Sequence, residues 1–239
     1  MSHTLETFKT KIFADGADKE TMLRLANTDY ISGLTTNPTL MRQSGITDYK
    51  NFCLDIVDSI NNKPISYEVF SDEFDEMYRQ AKIISSWGDN VYVKIPVSNT
   101  KQEYSYELIK KLSSENIKLN VTAIMTLAQV ENVVANLDPK IESYISIFAG
   151  RIADTGIDPI KIMTEAIKIM KPVPKSELIW ASPRELLNII QANEIGCHII
   201  TVTPDILKKL SLLNYNLDTY SLDTVKMFYK DAKAAGYDI

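Results

Sequence analysis

The chain of 239 residues is 45% hydrophobic and 24% charged, enough apolar material to bury a large core without disulfide or metal staples. Its net charge of -5 and the lack of any dense Lys/Arg run argue against nucleic acid as a partner. The opening MSHTLETFKT has no apolar signal-peptide core, and no stretch approaches the ~18 apolar residues of a membrane span, so a cytoplasmic chain with no membrane partner is expected.

From residue 11 onward, short β-branched apolar runs alternate with longer amphipathic segments. The runs at 11–15, 31–37, 65–70, 91–97, 119–125, 144–150, 178–182 and 198–203 are predicted as strands. Between them lie segments such as EFDEMYRQAKIISSW at 73–87 and EYSYELIKKLSSEN at 103–116. Their apolar residues recur at spacings of three and four, which predicts helices. The strand runs are continuously apolar rather than alternating, the pattern of a parallel sheet covered on both faces. Eight such units predict a closed (β/α)8 TIM barrel, an α/β fold that occupies 1–239 as one domain. An open doubly wound sheet usually has fewer strands and begins with a Gly-rich nucleotide turn, and no GxG occurs here. One helix is left over, at 222–235 (LDTVKMFYKDAKAA) within a C-terminal extension at 219–239. Its apolar stripe of Val225, Phe228 and Tyr229 is expected to cover an oligomer contact or, alternatively, the chain's own barrel.

Barrels of this kind keep their chemistry at the C-terminal ends of the strands. The polar residues there are Asp15, Thr35, Thr36 and Asn37, Glu68, Lys94, Asn120 and Thr122, Ser146 and Arg151, and Ser182 and Arg184. Lys94 stands out, because VYVKIPV puts an amine in the middle of a core run. Desolvation favours the neutral amine of a lysine, and a neutral amine is the nucleophile that adds to a ketone to give an iminium. The structural alternative is a lysine held in a buried ion pair. Asp15 and Glu68, at the ends of two other strands, can converge on Lys94 to move protons, with the Thr122 hydroxyl positioning water. They can equally serve as its ion partners. Arg151 with the ASPR segment makes an anion pocket, in which Ser182 and Arg184 are expected to open a helix with Pro183 in its first turn. The competing reading is a plain Ser182 cap with Arg184 in solvent. Cys53 and Cys197 lack CxxC spacing and are expected as free core thiols. The only histidines, His3 and His198, cannot supply a histidine-rich metal site, so no metal is expected.

With these residues in hand, the chain resembles the transaldolase family, in particular the short-chain branch that also contains fructose 6-phosphate aldolases. The likeness is carried by IFADGAD at 12–18, GLTTNPTL at 33–40, VYVKIP at 91–96, LNVTAIMTLAQV at 119–130, YISIFAGRIAD at 144–154 and WASPR at 180–184, in family order. The resemblance implies that Lys94 is the Schiff-base lysine, that Asp15 acts as acid and base on the substrate hydroxyl, and that Glu68 with Thr122 holds the catalytic water. It further implies that Thr35, Asn37, Asn120 and Ser146 bind the dihydroxyacetone portion, and that Arg151, Ser182 and Arg184 bind the terminal phosphate. It implies no organic cofactor. Related aldolases carry Gln where this chain has Glu68 and Tyr where it has Phe148. Phe148 cannot protonate a carbanion as a phenol can, so the resemblance points to transfer rather than release of the three-carbon fragment. Gly16, where the family often has Thr or Ser, and Pro183 depart from the common pattern and leave the substrate open. The expected reaction moves a dihydroxyacetone unit between sugar phosphates, such as fructose 6-phosphate or sedoheptulose 7-phosphate and an aldose phosphate, in carbohydrate metabolism of the pentose phosphate type. The alternatives are an aldolase that releases dihydroxyacetone, a transaldolase for a modified sugar such as a sulfonate, and a noncatalytic sugar-phosphate-binding barrel. The family's short members assemble as pentamers and decamers through the C-terminal helix, which implies a homo-oligomer here.

Overall fold

The computed structural model describes residues 4–239; His3 lies outside the described residues. Eight strands form a closed, all-parallel barrel in chain order: β1 Lys11–Asp15, β2 Ile31–Thr35, β3 Ile65–Glu68, β4 Val91–Pro96, β5 Leu119–Ile124, β6 Ser143–Ile147, β7 Ser176–Trp180 and β8 Ile199–Val202. β8 closes onto β1 through Lys11↔Ile199 to Ala14↔Val202. The helices are α1 Lys19–Ala26, α2 Pro38–Gln43, α3 Tyr49–Ser59, α4 Phe74–Ser85, α5 Tyr106–Ser114, α6 Leu127–Asn136, α7 Ala149–Asp154, α8 Pro159–Ile169, α9 Leu187–Glu194, α10 Pro204–Leu207 and α11 Leu217–Ala235. The chain is thus the (β/α)8 barrel that the alternation predicts. Among the described residues no helix is long and apolar enough to cross a membrane.

Local chemistry sets the helix starts. The Asp18, Asp48 and Asn216 side chains accept from the third residue of α1, α3 and α11, and Thr126 forms a reciprocal capping box with Gln129 on α6. Each such cap contributes about 1 kcal/mol. The 11–15 strand matches β1, and the other seven predicted strands run past the observed C-terminal ends, because the chain there leaves the ladder for a loop or, as at Ala149 and Gly150, for the next helix. Asn37, read as the end of a strand, instead caps α2 with Pro38 in its first turn. Residues 98–104 form a small antiparallel bridge, Ser98↔Tyr104, so α5 starts later than its periodicity suggests.

The barrel interior is layered. Side chains two apart on a strand share a face, so Phe13 lies under Asp15, Tyr92 under Lys94, Tyr144 under Ser146 and Ile199 under Thr201. Phe13, Tyr92, Tyr144, Ile179, Ala181 and Ile199 make one buried apolar cluster. Tyr92 stacks on Tyr144 at 4.0 Å between ring centroids, and Phe13 meets Tyr144 edge-on at 5.7 Å. Such pairs contribute ~0.5–1.5 kcal/mol beyond area burial. A Cβ at Gly33 would lie 2.5 Å from the Phe13 ring, so the floor fits only around glycine there. Cys53 and Cys197 are buried free thiols, and His198 Nδ1 accepts from the Leu178 N–H at 3.0 Å. α11 has no buried residue, and Val225, Phe228 and Tyr229 are 60%, 63% and 67% exposed, so the stripe does not cap this barrel.

Candidate active site

Above the aromatic floor, at the C-terminal ends of the strands, lies a cavity of about 540 Å³. Asp15, Thr35, Asn37, Glu68, Lys94, Asn120, Thr122, Ser146, Phe148, Arg151, Ser182 and Arg184 all line it. Thr36 does not; its hydroxyl is buried without a partner.

Lys94 is 6% exposed. Its Nζ donates to the Thr36 carbonyl at 3.0 Å and stands 3.5 Å from Glu68 Oε2. Burial pushes the Glu68 carboxyl above the ordinary carboxylate range, opposed by the charge and hydrogen bond of Lys94 and reinforced by Asp15. Burial likewise pushes Asp15 up, against the charge of Lys94 and the Thr35 hydroxyl. Thr35 Oγ1 donates to Asp15 Oδ1 at 2.8 Å, so in its short contact with Thr201 Oγ1 it is the acceptor. Two carboxylates with a tendency to hold protons thus flank one amine, which is the equipment for proton transfer.

On the neighbouring strand β5, paired with Lys94 in the ladder, Asn120 is fully buried. It donates to Ser66 Oγ at 3.0 Å and accepts from Ser146 Oγ at 2.7 Å, which fixes the orientation of its amide. Thr122 Oγ1 is buried and unpartnered, leaving a hydroxyl for a ligand or water. Behind it Ala123 has φ 61°, in the left-handed region, where the β5–β6 register shifts between Val121 and Ile124. Such a conformation costs about 1–3 kcal/mol in a non-glycine residue and clusters at functional sites. Asn37 uses Oδ1 to cap α2 at Leu40 N–H, 3.0 Å, so its amide nitrogen is what remains for a ligand.

The cationic end differs from expectation. Ser182 does not cap a helix: α9 begins at Leu187, and Ser182 itself has φ 60°. The Asn188 side chain takes the N–H groups of Arg184 and Glu185 at 2.7 and 3.2 Å, which holds 182–186 as a loop. Nor is Arg184 free in solvent. Its Nε donates to Asp154 Oδ1 at 2.9 Å, its Nη2 to Asp154 Oδ2, and its Nη1 to Ser182 Oγ at 3.0 Å. Arg151, on α7, rests with its guanidinium 5.6 Å from the Phe148 ring. α7 reaches this loop because Gly150 has no Cβ; one would lie 1.6 Å from the Ser182 carbonyl oxygen.

Sequence reasoning passed over Thr201, Thr203, Gln43 and Ala123, all in the cavity wall, and Ser66, which supports Asn120. Strand parity would have found Thr201 and Ser66, since they share a strand face with Thr203 and Glu68 respectively. Ala123 had no signal, because its backbone conformation depends on the β5 register shift.

An all-parallel barrel with a buried lysine between carboxylates at its C-terminal mouth is the arrangement of a barrel enzyme. The family described as Transaldolase/Fructose-6-phosphate aldolase matches residues 12–239, and the chain belongs to it, an enzyme of aldolase or transaldolase type. A protein described as a probable transaldolase from Dehalococcoides mccartyi is 32% identical over 202 residues, covering 84% of this chain and 89% of its own. A probable transaldolase from Nitrosopumilus maritimus is 30% identical over 231 residues, covering 96% and 99%, and one from Streptococcus agalactiae is 35% identical over 197, covering 82% and 86%. Among solved structures, dihydrodipicolinate synthase from Rhodopseudomonas palustris superposes with a TM-score of 0.55 at 13% identity, covering 97% of this chain and 82% of that one, a likeness of fold alone.

Proposed function

We propose that the protein is a transaldolase that moves a dihydroxyacetone unit between sugar phosphates through a Schiff base on Lys94. The observation that carries this reading is the buried Nζ of Lys94, 3.5 Å from a carboxylate and open to the cavity that Asp15 also lines. The amine adds to the C2 ketone of a ketose phosphate, and loss of water gives an iminium. Asp15 takes the proton of the C4 hydroxyl, the C3–C4 bond breaks, the aldose phosphate leaves, and the electron pair passes into the iminium as an enamine. The enamine attacks an acceptor aldehyde, which regains a proton from Asp15; water held by Glu68 and Thr122 then hydrolyses the new iminium and frees Lys94. Thr35, Asn37, Asn120 and Ser146 hold the hydroxyls of the transferred fragment. Arg151, Arg184 and Ser182 take the terminal phosphate, with charge-assisted donors to match its oxygens.

Phe148 supports transfer over release, since a phenyl ring in the cavity wall offers the enamine no proton. α11, with its exposed apolar stripe, is the surface for assembly into a homo-oligomer. The chain works in the cytoplasm, in interconversion of phosphorylated sugars of the pentose phosphate type.

Incubation with fructose 6-phosphate and borohydride, followed by peptide mapping, tests the reading. A dihydroxyacetone-sized adduct on Lys94 is the expected result. The absence of an adduct with any ketose phosphate overturns the Schiff base and leaves a binding barrel. Repeating the assay with and without erythrose 4-phosphate separates the two enzymatic outcomes, because free dihydroxyacetone without an acceptor identifies an aldolase.

A further inference from the structure

At the end of β3, two main-chain hydrogen bonds run to a helix instead of to the neighbouring strand. The Tyr49 hydroxyl donates to the Glu68 carbonyl at 2.8 Å and accepts from the Glu68 N–H at 3.0 Å. Tyr49 is the first residue of α3. β2 and β3 pair as Leu34↔Ile65 and Thr35↔Ser66, with the Thr36 N–H on the Ser66 carbonyl at 3.4 Å. Continued in that register, the ladder would join the Glu68 N–H to the Thr36 carbonyl, and the Glu68 carbonyl to the N–H of residue 38. Residue 38 is proline and has no N–H. The Thr36 carbonyl is taken by Lys94 Nζ at 3.0 Å. One phenol therefore serves both main-chain groups of Glu68 that β2 leaves, and the carbonyl that would have bound Glu68 is released to the lysine.

We propose that Tyr49 is a positioning residue for the Lys94–Glu68 pair, its hydroxyl holding the Glu68 main chain away from β2 so that the Thr36 carbonyl orients Nζ. The proposal rests on the reading of Lys94 as the Schiff-base lysine. The phenol suits the task because burial raises it well above its ordinary value, so it keeps the proton that it donates. Its ring is fixed by Phe70, edge-on at 5.2 Å, and by Trp87 at 6.2 Å. Without the hydroxyl, the Glu68 N–H and the Thr36 carbonyl become each other's nearest partners. The rung that closes between them draws the carbonyl from Nζ and shifts the Glu68 carboxylate.

Tyr49→Phe keeps the ring and removes one oxygen. The expected result is a roughly tenfold fall in kcat and in the rate of borohydride-trappable iminium formation from fructose 6-phosphate, with KM within about twofold. The Glu68 amide proton, followed by NMR, should also change its chemical shift as its acceptor changes from the Tyr49 hydroxyl to the Thr36 carbonyl. Tyr67→Phe is the control: it removes a neighbouring buried hydroxyl, on the Cys53 carbonyl at 3.2 Å, without touching Glu68. Iminium formation by Tyr49→Phe at the wild-type rate overturns the proposal, and so does an equal loss in both variants, which would mark a general loss of packing. Failure of the wild-type protein to form any adduct sinks the Schiff-base reading instead, and the Glu68 amide shift between the parent and Tyr49→Phe then still reports on whether the phenol bridge exists.

Discussion

The Asp154 carboxylate receives Arg184 through both of its oxygens, Nε at 2.9 Å and Nη2 beside it, so the guanidinium stands in one orientation at the cavity wall. The two side chains are 52% and 45% exposed, and a pair this wet contributes only ~0–1 kcal/mol to stability. Its effect is therefore on aim rather than on folding. Asp154→Ala is predicted to raise KM for phosphorylated donors about tenfold, with kcat within about twofold and thermal stability little changed. Initial rates across donor concentration, with inorganic phosphate as competitor, check this. A KM that stays constant or falls would mean that Asp154 merely neutralises the arginine.

Gly150 allows α7 and the β7–α9 loop to meet. A Cβ there would fall 1.6 Å from a backbone oxygen, which cannot swing aside as a side chain would. Gly150→Ala is expected to cost about 3 kcal/mol in urea unfolding and to weaken phosphate binding, because Arg151 and Ser182 are forced apart. Unchanged stability would show that the loop gives way freely.

How much of this was legible in the sequence follows from the range of each interaction. The eight-unit alternation revealed the barrel, and VYVKIPV alone flagged Lys94, because a charge in a strand buried on both faces is anomalous wherever the strand ends up. Position at the C-terminal ends of the strands likewise brought Asp15, Glu68, Thr122 and Ser146 to one mouth of the barrel. What local pattern could not give were side chains that reach across the fold. Ser182 reads as a cap before Pro183, yet Asn188 claims the next two N–H groups and keeps the segment a loop. Tyr49 looks like one more apolar helix position, and its hydroxyl matters only because Pro38 ends a ladder on another element.

Lys94→Met separates folding from chemistry. The substitution keeps the volume and removes the amine, leaving Glu68 and Asp15 without their cation. Burial already raises both carboxyls, so they take protons and become neutral instead of staying charged and unpaired. The expected variant forms no adduct with fructose 6-phosphate, loses activity by on the order of 10³-fold or more, and melts within about 4 °C of the parent. Collapse of the fold would instead assign Lys94 to structure.

The raised Asp15 carboxyl fixes the direction of two pH effects. In its proposed role as the base that takes a hydroxyl proton, it must be ionised, so the acid limb of kcat/KM should lie above the ordinary carboxylate range. The Thr35 hydroxyl, 2.8 Å away, favours the ionised form. Thr35→Val removes that bond and should move the limb to still higher pH. For folding the sign is opposite to that of a salt-bridged carboxylate. Above the ordinary carboxylate value the folded state holds a proton that the unfolded chain has lost, so the contribution of Asp15 to stability is complete at lower pH. It is lost as pH rises through the folded value, and Glu68 behaves alike. Urea unfolding over a pH series should show this decline in the parent and a shallower one in Asp15→Asn. A Thr35→Val enzyme whose acid limb stayed put or moved to lower pH would remove Asp15 from the role of base.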